Sequence, residues 1–108
     1  LMRRYGQVIR VKSDRIADYE CMHASVWPEV LATIHACNMR NYTIFRYKTW
    51  LFAYFEYVGD DFPADMKKMA EDPMTQKWWS LTDPMQEPVE ESGGESWWAS
   101  MKDVFHID

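Results

Sequence analysis

Asn41-Tyr-Thr-Ile-Phe-Arg-Tyr47 and Thr49-Trp-Leu-Phe-Ala-Tyr-Phe-Glu-Tyr57 are two runs of β-branched and aromatic residues separated by one position. That pattern predicts two consecutive strands joined by a tight turn, a β-hairpin. In the second run Trp50, Phe52 and Tyr54 point to one face and Leu51, Ala53 and Phe55 to the other, so this strand is apolar on both sides. Such a sheet needs cover on both faces. Helices can supply one layer, and a second subunit is the simplest cover for the other.

Outward from the hairpin the pattern alternates. Residues 4–12, Arg-Tyr-Gly-Gln-Val-Ile-Arg-Val-Lys, have strand composition, and Ser13-Asp14 then offers an N-cap signal. From Asp14 to Ala36, Ile16, Tyr19, Val30, Leu31 and Ile34 recur at helical spacing, interrupted where Pro28 disfavours helical geometry at Trp27. A kinked helix or two abutting helices are expected, with Asn38 as the stop.

Beyond the hairpin, Asp60-Asp61 with Pro63 opens a helix carrying Met66, Met69 and Ala70, and Asp72-Pro73 opens another holding Lys77-Trp78-Trp79. Residues 86–96 are rich in Pro, Gly and acids and predict a loop before a last strand from Trp98 to Ile107. The order β-α-β-β-α-β is that of an α+β, ferredoxin-like domain, and the doubly apolar sheet predicts a dimer packed sheet to sheet. One domain over residues 1–108 is expected at this length.

Composition narrows the function. The net charge is −5 with the Lys and Arg scattered, which supplies no basic stripe for nucleic acid. No run approaches the roughly 20 apolar residues of a membrane span, and Leu1-Met2-Arg3-Arg4-Tyr5 lacks the apolar core of a signal peptide, so a cytoplasmic protein is expected. Aromatics make up 16% of the chain, with 6 Trp, 6 Tyr and 5 Phe, more than core filling alone requires, so some rings are expected to face a ligand.

Tyr19 and His23, four apart on a helix, share one face and can reach one pocket. Histidine suits proton transfer near neutral pH, and a phenol can hydrogen-bond a substrate oxygen. The competing reading is a partly exposed histidine on a solvated face. Trp78 and Trp79 point about 100° apart, so a single core face hardly needs both. Indole faces pack on the C–H surface of sugar rings and the indole N–H can donate to a hydroxyl, though both rings could equally be core and interface packing. Trp97-Trp98 invites the same pair of readings, one of the two closing a pocket rim.

Cys21-x-His23 and His35-x-Cys37 resemble soft metal ligands, but residues two apart on a helix diverge by about 200° and cannot chelate one ion, so no metal is expected. Cys21 and Cys37 are expected as free thiols. With 4 glycines and neither a phosphate loop nor a nucleophile elbow, nucleotide binding and acyl transfer are unsupported.

The run Asp18-Tyr-Glu-Cys-Met-His-Ala-Ser-Val-Trp-Pro-Glu29, then Asn41-Tyr-Thr-Ile-Phe45, then Lys77-Trp-Trp79, resembles the L-rhamnose mutarotase family in content, order and spacing. The likeness runs from about residue 3 to residue 107. It departs from the family's pattern at Ala24-Ser25, where a proline follows the histidine in the family, and across Glu90 to Trp98.

The resemblance implies a cofactor-free isomerase, a homodimer of ferredoxin-like subunits acting on a monosaccharide. His23 would be the acid/base, and Tyr19, Tyr42, Trp78 and Trp79 would contact the sugar. Two other classes share the outline of the fold: a cofactor-free or haem-using monooxygenase with a pocket histidine, and a sugar-binding sensor without catalysis.

Overall fold

The structure, a computed structural model, describes residues 2–89 and 97–108. Its order is β1 (Arg3–Val11), α1 (Ile16–His23), α2 (Pro28–Ala36), β2 (Met39–Tyr47), β3 (Trp50–Tyr57), α3 (Phe62–Glu71), α4 (Pro73–Thr82), a 3₁₀ turn (Asp83–Met85), β4 (Gln86–Glu87) and β5 (Ala99–Met101). The strands form one sheet in the order β2-β3-β1-β4, with β5 also on β1, and every described pairing is antiparallel. This is the expected ferredoxin-like arrangement.

The hairpin forms as its sequence requires. Tyr47 pairs with Trp50 around a two-residue turn in which Lys48 is left-handed at φ 54°. Along β3 burial alternates residue by residue: Leu51, Ala53, Phe55 and Tyr57 are buried, while Trp50, Phe52, Tyr54 and Glu56 on the other face are only partly covered.

The first helical segment is two helices. Trp27, at φ −60° and ψ 135°, is extended as a residue before proline should be, and Pro28 occupies the first turn of α2. Asn38, in the left-handed region at φ 66°, turns the chain from α2 into β2. Ser13 and Asp14 do not cap α1. The Arg15 amide donates to the Lys12 carbonyl at 2.9 Å, closing a turn first, and the helix begins only at Ile16. Asp72 ends α3 and caps α4, accepting from the Thr75 amide at 2.9 Å and hydroxyl at 2.8 Å.

The expected last strand is the element that differs. Its place along β1 is shared by β4, opposite Arg10 and Val11, and β5, opposite Gly6 to Val8. Beyond Met101 the chain leaves the sheet with Val104, Phe105 and Ile107 88%, 81% and 76% exposed. Their apolar composition suits a strand, but among the described residues no neighbour pairs with it, and a strand needs its ladder. The predicted loop falls partly on residues 90–96, outside the described residues.

The inner face of the sheet carries two apolar clusters, Ile9, Val11, Tyr19, Leu51 and Met85 at one end and Cys37, Met39, Phe55 and Met69 at the other. Cys21 is exposed and Cys37 buried, both as free thiols.

A polar clasp holds the second cluster. The Tyr57 hydroxyl donates to Asp65 at 2.5 Å and accepts from the Asp61 amide at 3.0 Å, while Asn38 Nδ2 donates to the same Asp65 oxygen at 3.0 Å. These donors hold the Asp65 carboxyl below its ordinary range. The clasp ties α3 to the corner before β2, setting Phe62 against Tyr5 and Tyr57.

Gly59 lies where only a hydrogen fits, since a Cβ there would stand 2.4 Å from the Tyr57 oxygen and 2.8 Å from Asn38 Nδ2. Gly59→Ala is therefore expected to destabilise the protein by roughly 1–3 kcal/mol, read as a lower urea midpoint at unchanged slope. An unchanged midpoint would mean that the clasp carries no stability.

Candidate active site

Between the sheet's inner face and the helices lies a cavity of about 740 Å³, within the usual range for small-molecule sites. Its floor includes Gln7, a polar residue at the midpoint of the inner face of β1, between the two apolar clusters. Val30, Ile34, Phe55, Phe62, Met66 and Met69 give it apolar walls.

The structure brings all five sequence-predicted site residues, Tyr19, His23, Tyr42, Trp78 and Trp79, to this one cavity. A shallower groove of about 460 Å³, lined by Glu20, Phe45 and Arg46, shares Tyr19, His23 and Ile44 with it. Tyr19 and His23 therefore stand on the wall between two openings.

Their i,i+4 spacing stacks the two rings, with centroids 4.1 Å apart. His23 Nδ1 lies 2.8 Å from the Tyr19 carbonyl. A carbonyl only accepts, so Nδ1 carries the hydrogen and Nε2 is left as the ring's proton acceptor. Burial lowers the His23 pKa below its ordinary value, outweighing the opposite pull of that carbonyl, so the ring is neutral at pH 7. His23 is half-buried, with the rings of Tyr19 and Trp78 against it.

The two adjacent tryptophans divide their roles. Trp78 is 6% exposed, sets its ring edge-on to His23 at 5.4 Å, and is braced from behind by Trp27 at 5.0 Å. Trp79 is 37% exposed and lines the cavity near its mouth.

Tyr42 reaches the pocket by a route that alternation alone does not show. Arg40 pairs with Glu56 and Thr43 with Tyr54, leaving Asn41 and Tyr42 opposite the single residue Phe55, a β-bulge. Asn41 sits there at φ 52° and its side chain donates to Glu56 at 2.8 Å. The extra residue reverses the inward phase of the strand, so Tyr42 rather than Asn41 faces the helices and lies 5.6 Å from the Phe55 ring. Desolvation of its inward hydroxyl pushes the Tyr42 pKa up to about 12.

Sequence reasoning missed the polar residues on the remaining walls: Gln7, Thr75, Thr82, Asp83, Gln86 and Ser100. Asp83, in the 3₁₀ turn, has its carboxyl pKa raised by burial. Gln86 is 5% exposed and donates from Nε2 to the Tyr19 hydroxyl at 3.2 Å while accepting from Trp97 Nε1 at 2.7 Å. One signal existed, since Gln7 occupies an inward position of a strand whose inward neighbours Tyr5, Ile9 and Val11 are apolar. Trp97 and Trp98 both line the cavity, Trp98 also packing on the Ile9 cluster.

Fold and cavity define the class first: a small ferredoxin-like protein with a small-molecule-sized cavity between its sheet and its helices. The chain belongs to the L-rhamnose mutarotase family of sugar isomerases, whose model matches residues 4–107. It is 32% identical over 109 residues to the L-rhamnose mutarotase of Oceanobacillus iheyensis, covering 99% of this chain and 100% of that one. The L-rhamnose mutarotase of Lactiplantibacillus plantarum is also 32% identical, with the same coverage.

Among solved structures, the L-rhamnose mutarotase of Formosa agariphila superposes with a TM-score of 0.76 at 19% identity, over 98% of this chain and 99% of that one. Tetracenomycin F2 cyclase from Streptomyces glaucescens, a type-II polyketide cyclase, follows at 0.72 and 15% identity, over 98% and 97%. At these identities the likeness establishes the fold alone.

Proposed function

We propose that this protein interconverts the α and β anomers of L-rhamnose, or a closely related deoxy sugar, with His23 as the acid/base. The observation that carries the reading is the protonation pattern of His23: Nδ1–H committed to the Tyr19 carbonyl, and a neutral ring with Nε2 able to accept a proton at the cavity wall. Nε2 takes the proton of the C1 hydroxyl as the bond between C1 and the ring oxygen breaks. The imidazolium returns that proton to the ring oxygen, directly or through a water. The open aldehyde turns about its C1–C2 bond and the same steps in reverse close the ring on the other face. Nothing is oxidised or reduced, and the proton count balances.

Trp78 and Trp79 are assigned the faces of the sugar ring, and Tyr19 and Tyr42 its oxygens, in a cavity apolar on its walls and polar at its edges. The family match and two relatives at 32% identity support an isomerase over the oxygenase and sensor alternatives. The single domain and the cytoplasmic location belong to the same reading; among the described residues no helix is long and apolar enough to cross a membrane. A homodimer does too, packed through the outer face of the sheet, where Phe45 and Tyr47 are 62% and 63% exposed beside the partly covered Trp50, Phe52 and Tyr54.

The test is saturation transfer between the two anomeric protons of L-rhamnose with and without protein, repeated with L-fucose. Accelerated exchange is expected for L-rhamnose. Because the His23 pKa lies below its ordinary value near 6.5, the rate should hold at pH 7 and fall only as pH drops through that depressed value. Stability follows in the same direction. Between those two pKa values the unfolded chain binds a proton that the native state does not, so stability declines as pH falls through the window. No acceleration with any sugar would overturn the assignment.

A further inference from the structure

We propose that Gln86, oriented by Trp97, acts as a positioning residue that fixes Tyr19 as a hydrogen-bond donor to the substrate. The inference rests on the mutarotase reading and goes beyond it. It starts from an indole. Trp97 Nε1–H can only donate, and its partner at 2.7 Å is Gln86 Oε1. That contact decides which way round the buried amide sits, and it turns Nε2 toward the Tyr19 hydroxyl at 3.2 Å. An amide nitrogen only donates, so the Tyr19 oxygen accepts there.

A phenol has one proton. With its oxygen occupied as acceptor, and with no protein acceptor for that proton among the described residues, the Tyr19 O–H is left for whatever fills the cavity. His23, stacked on the same ring, offers the opposite polarity, an Nε2 that accepts. The two neighbours thus present one donor and one acceptor, the pair required when one sugar oxygen gives up a proton while the other gathers charge.

Burial raises the Tyr19 pKa far above its ordinary value, so the phenol keeps its proton and supports the ring oxygen by hydrogen bonding while His23 carries the transferred proton. The backbone sets this up. Gln86 pairs with Val11 in β4, and since Val11 is buried on the inner face, the Gln86 side chain is turned to the same side.

Gln86→Glu and Gln86→Met separate positioning from packing. The carboxylate keeps the size and the Trp97 bond but accepts from Tyr19, drawing its proton away from the substrate. Gln86→Met only releases it. Exchange at saturating sugar is expected to fall roughly 10- to 100-fold in Gln86→Glu, by the strength of a hydrogen bond to a developing charge, and less in Gln86→Met, with KM changed little in either. In a Tyr19→Phe background neither substitution should cost anything further.

Trp97→Phe, at a residue 41% exposed, removes the N–H alone and guards against a Gln86 variant that does not fold. It is expected to lower the rate several-fold, and again not in the Tyr19→Phe background. Gln86→Met worse than Gln86→Glu, or full losses persisting without the Tyr19 hydroxyl, would overturn the proposal and leave the mutarotase reading standing. A wild-type protein that exchanges no sugar would overturn both.

Discussion

Anomer exchange in a His23→Asn protein is expected to fall by roughly 10²- to 10⁴-fold, the usual worth of a positioned acid/base. The substitution isolates chemistry from architecture. An asparagine amide can stand where Nδ1 stands and donate to the Tyr19 carbonyl, preserving the bond that orients this end of α1. It has nothing in place of Nε2 that accepts a proton at neutral pH. His23→Gln is the complement, reaching toward the Nε2 position with a group that is not basic, and it should be equally poor. Saturation transfer gives the rate and urea unfolding the stability; a full rate in either folded variant would remove His23 from the mechanism.

Trp78→Ala and Trp79→Ala are expected to fail in different ways although the residues are adjacent. Trp78 is buried between His23 and Trp27, so its truncation opens a void costing roughly 3–5 kcal/mol, a large share of the stability of a small domain. It should lower kcat as well, because the His23 ring loses the edge that confines it. Trp79→Ala removes a ring 37% exposed at the mouth, so its stability loss should stay small while KM rises roughly 2- to 10-fold, the worth of one aromatic face. Thermal unfolding paired with substrate titration of the exchange rate separates the two. A destabilised Trp79→Ala beside a firm Trp78→Ala would reverse the division.

Much of this was legible in the sequence where local chemistry leaves one choice. Pro28 forces Trp27 to be extended, Asp72-Pro73 can only end one helix and start another, and a spacing of four places Tyr19 and His23 on one face whatever surrounds them. The hairpin followed for the same reason.

What escaped depends on partners distant in sequence. Gln86 is 67 positions from Tyr19, and its value lies in a strand pairing with Val11 that no local pattern announces. Val104, Phe105 and Ile107 have the composition of a strand, but a ladder needs a neighbour and composition cannot say whether one exists. Ser13-Asp14 carries the composition of a cap, yet the turn closed onto Lys12 postpones the helix past it.

The bulge at Asn41 means that β2 is read in two frames. Up to Arg40 the inward positions are odd-numbered, with Met39 buried; after it they are even-numbered, with Tyr42 in the cavity and Ile44 against the core. Asn41 is the residue that separates the two frames, and deleting it would close the bulge and pair Tyr42 directly with Phe55. Tyr42 and Ile44 would stay turned inward and Thr43 and Phe45 outward, in one unbroken alternation with Met39, and what would be lost is the local bend and the Asn41–Glu56 contact. The register anchored at the Tyr47–Trp50 turn therefore keeps the cavity-facing wall in phase, while the extra residue sets how that wall bends around Tyr42.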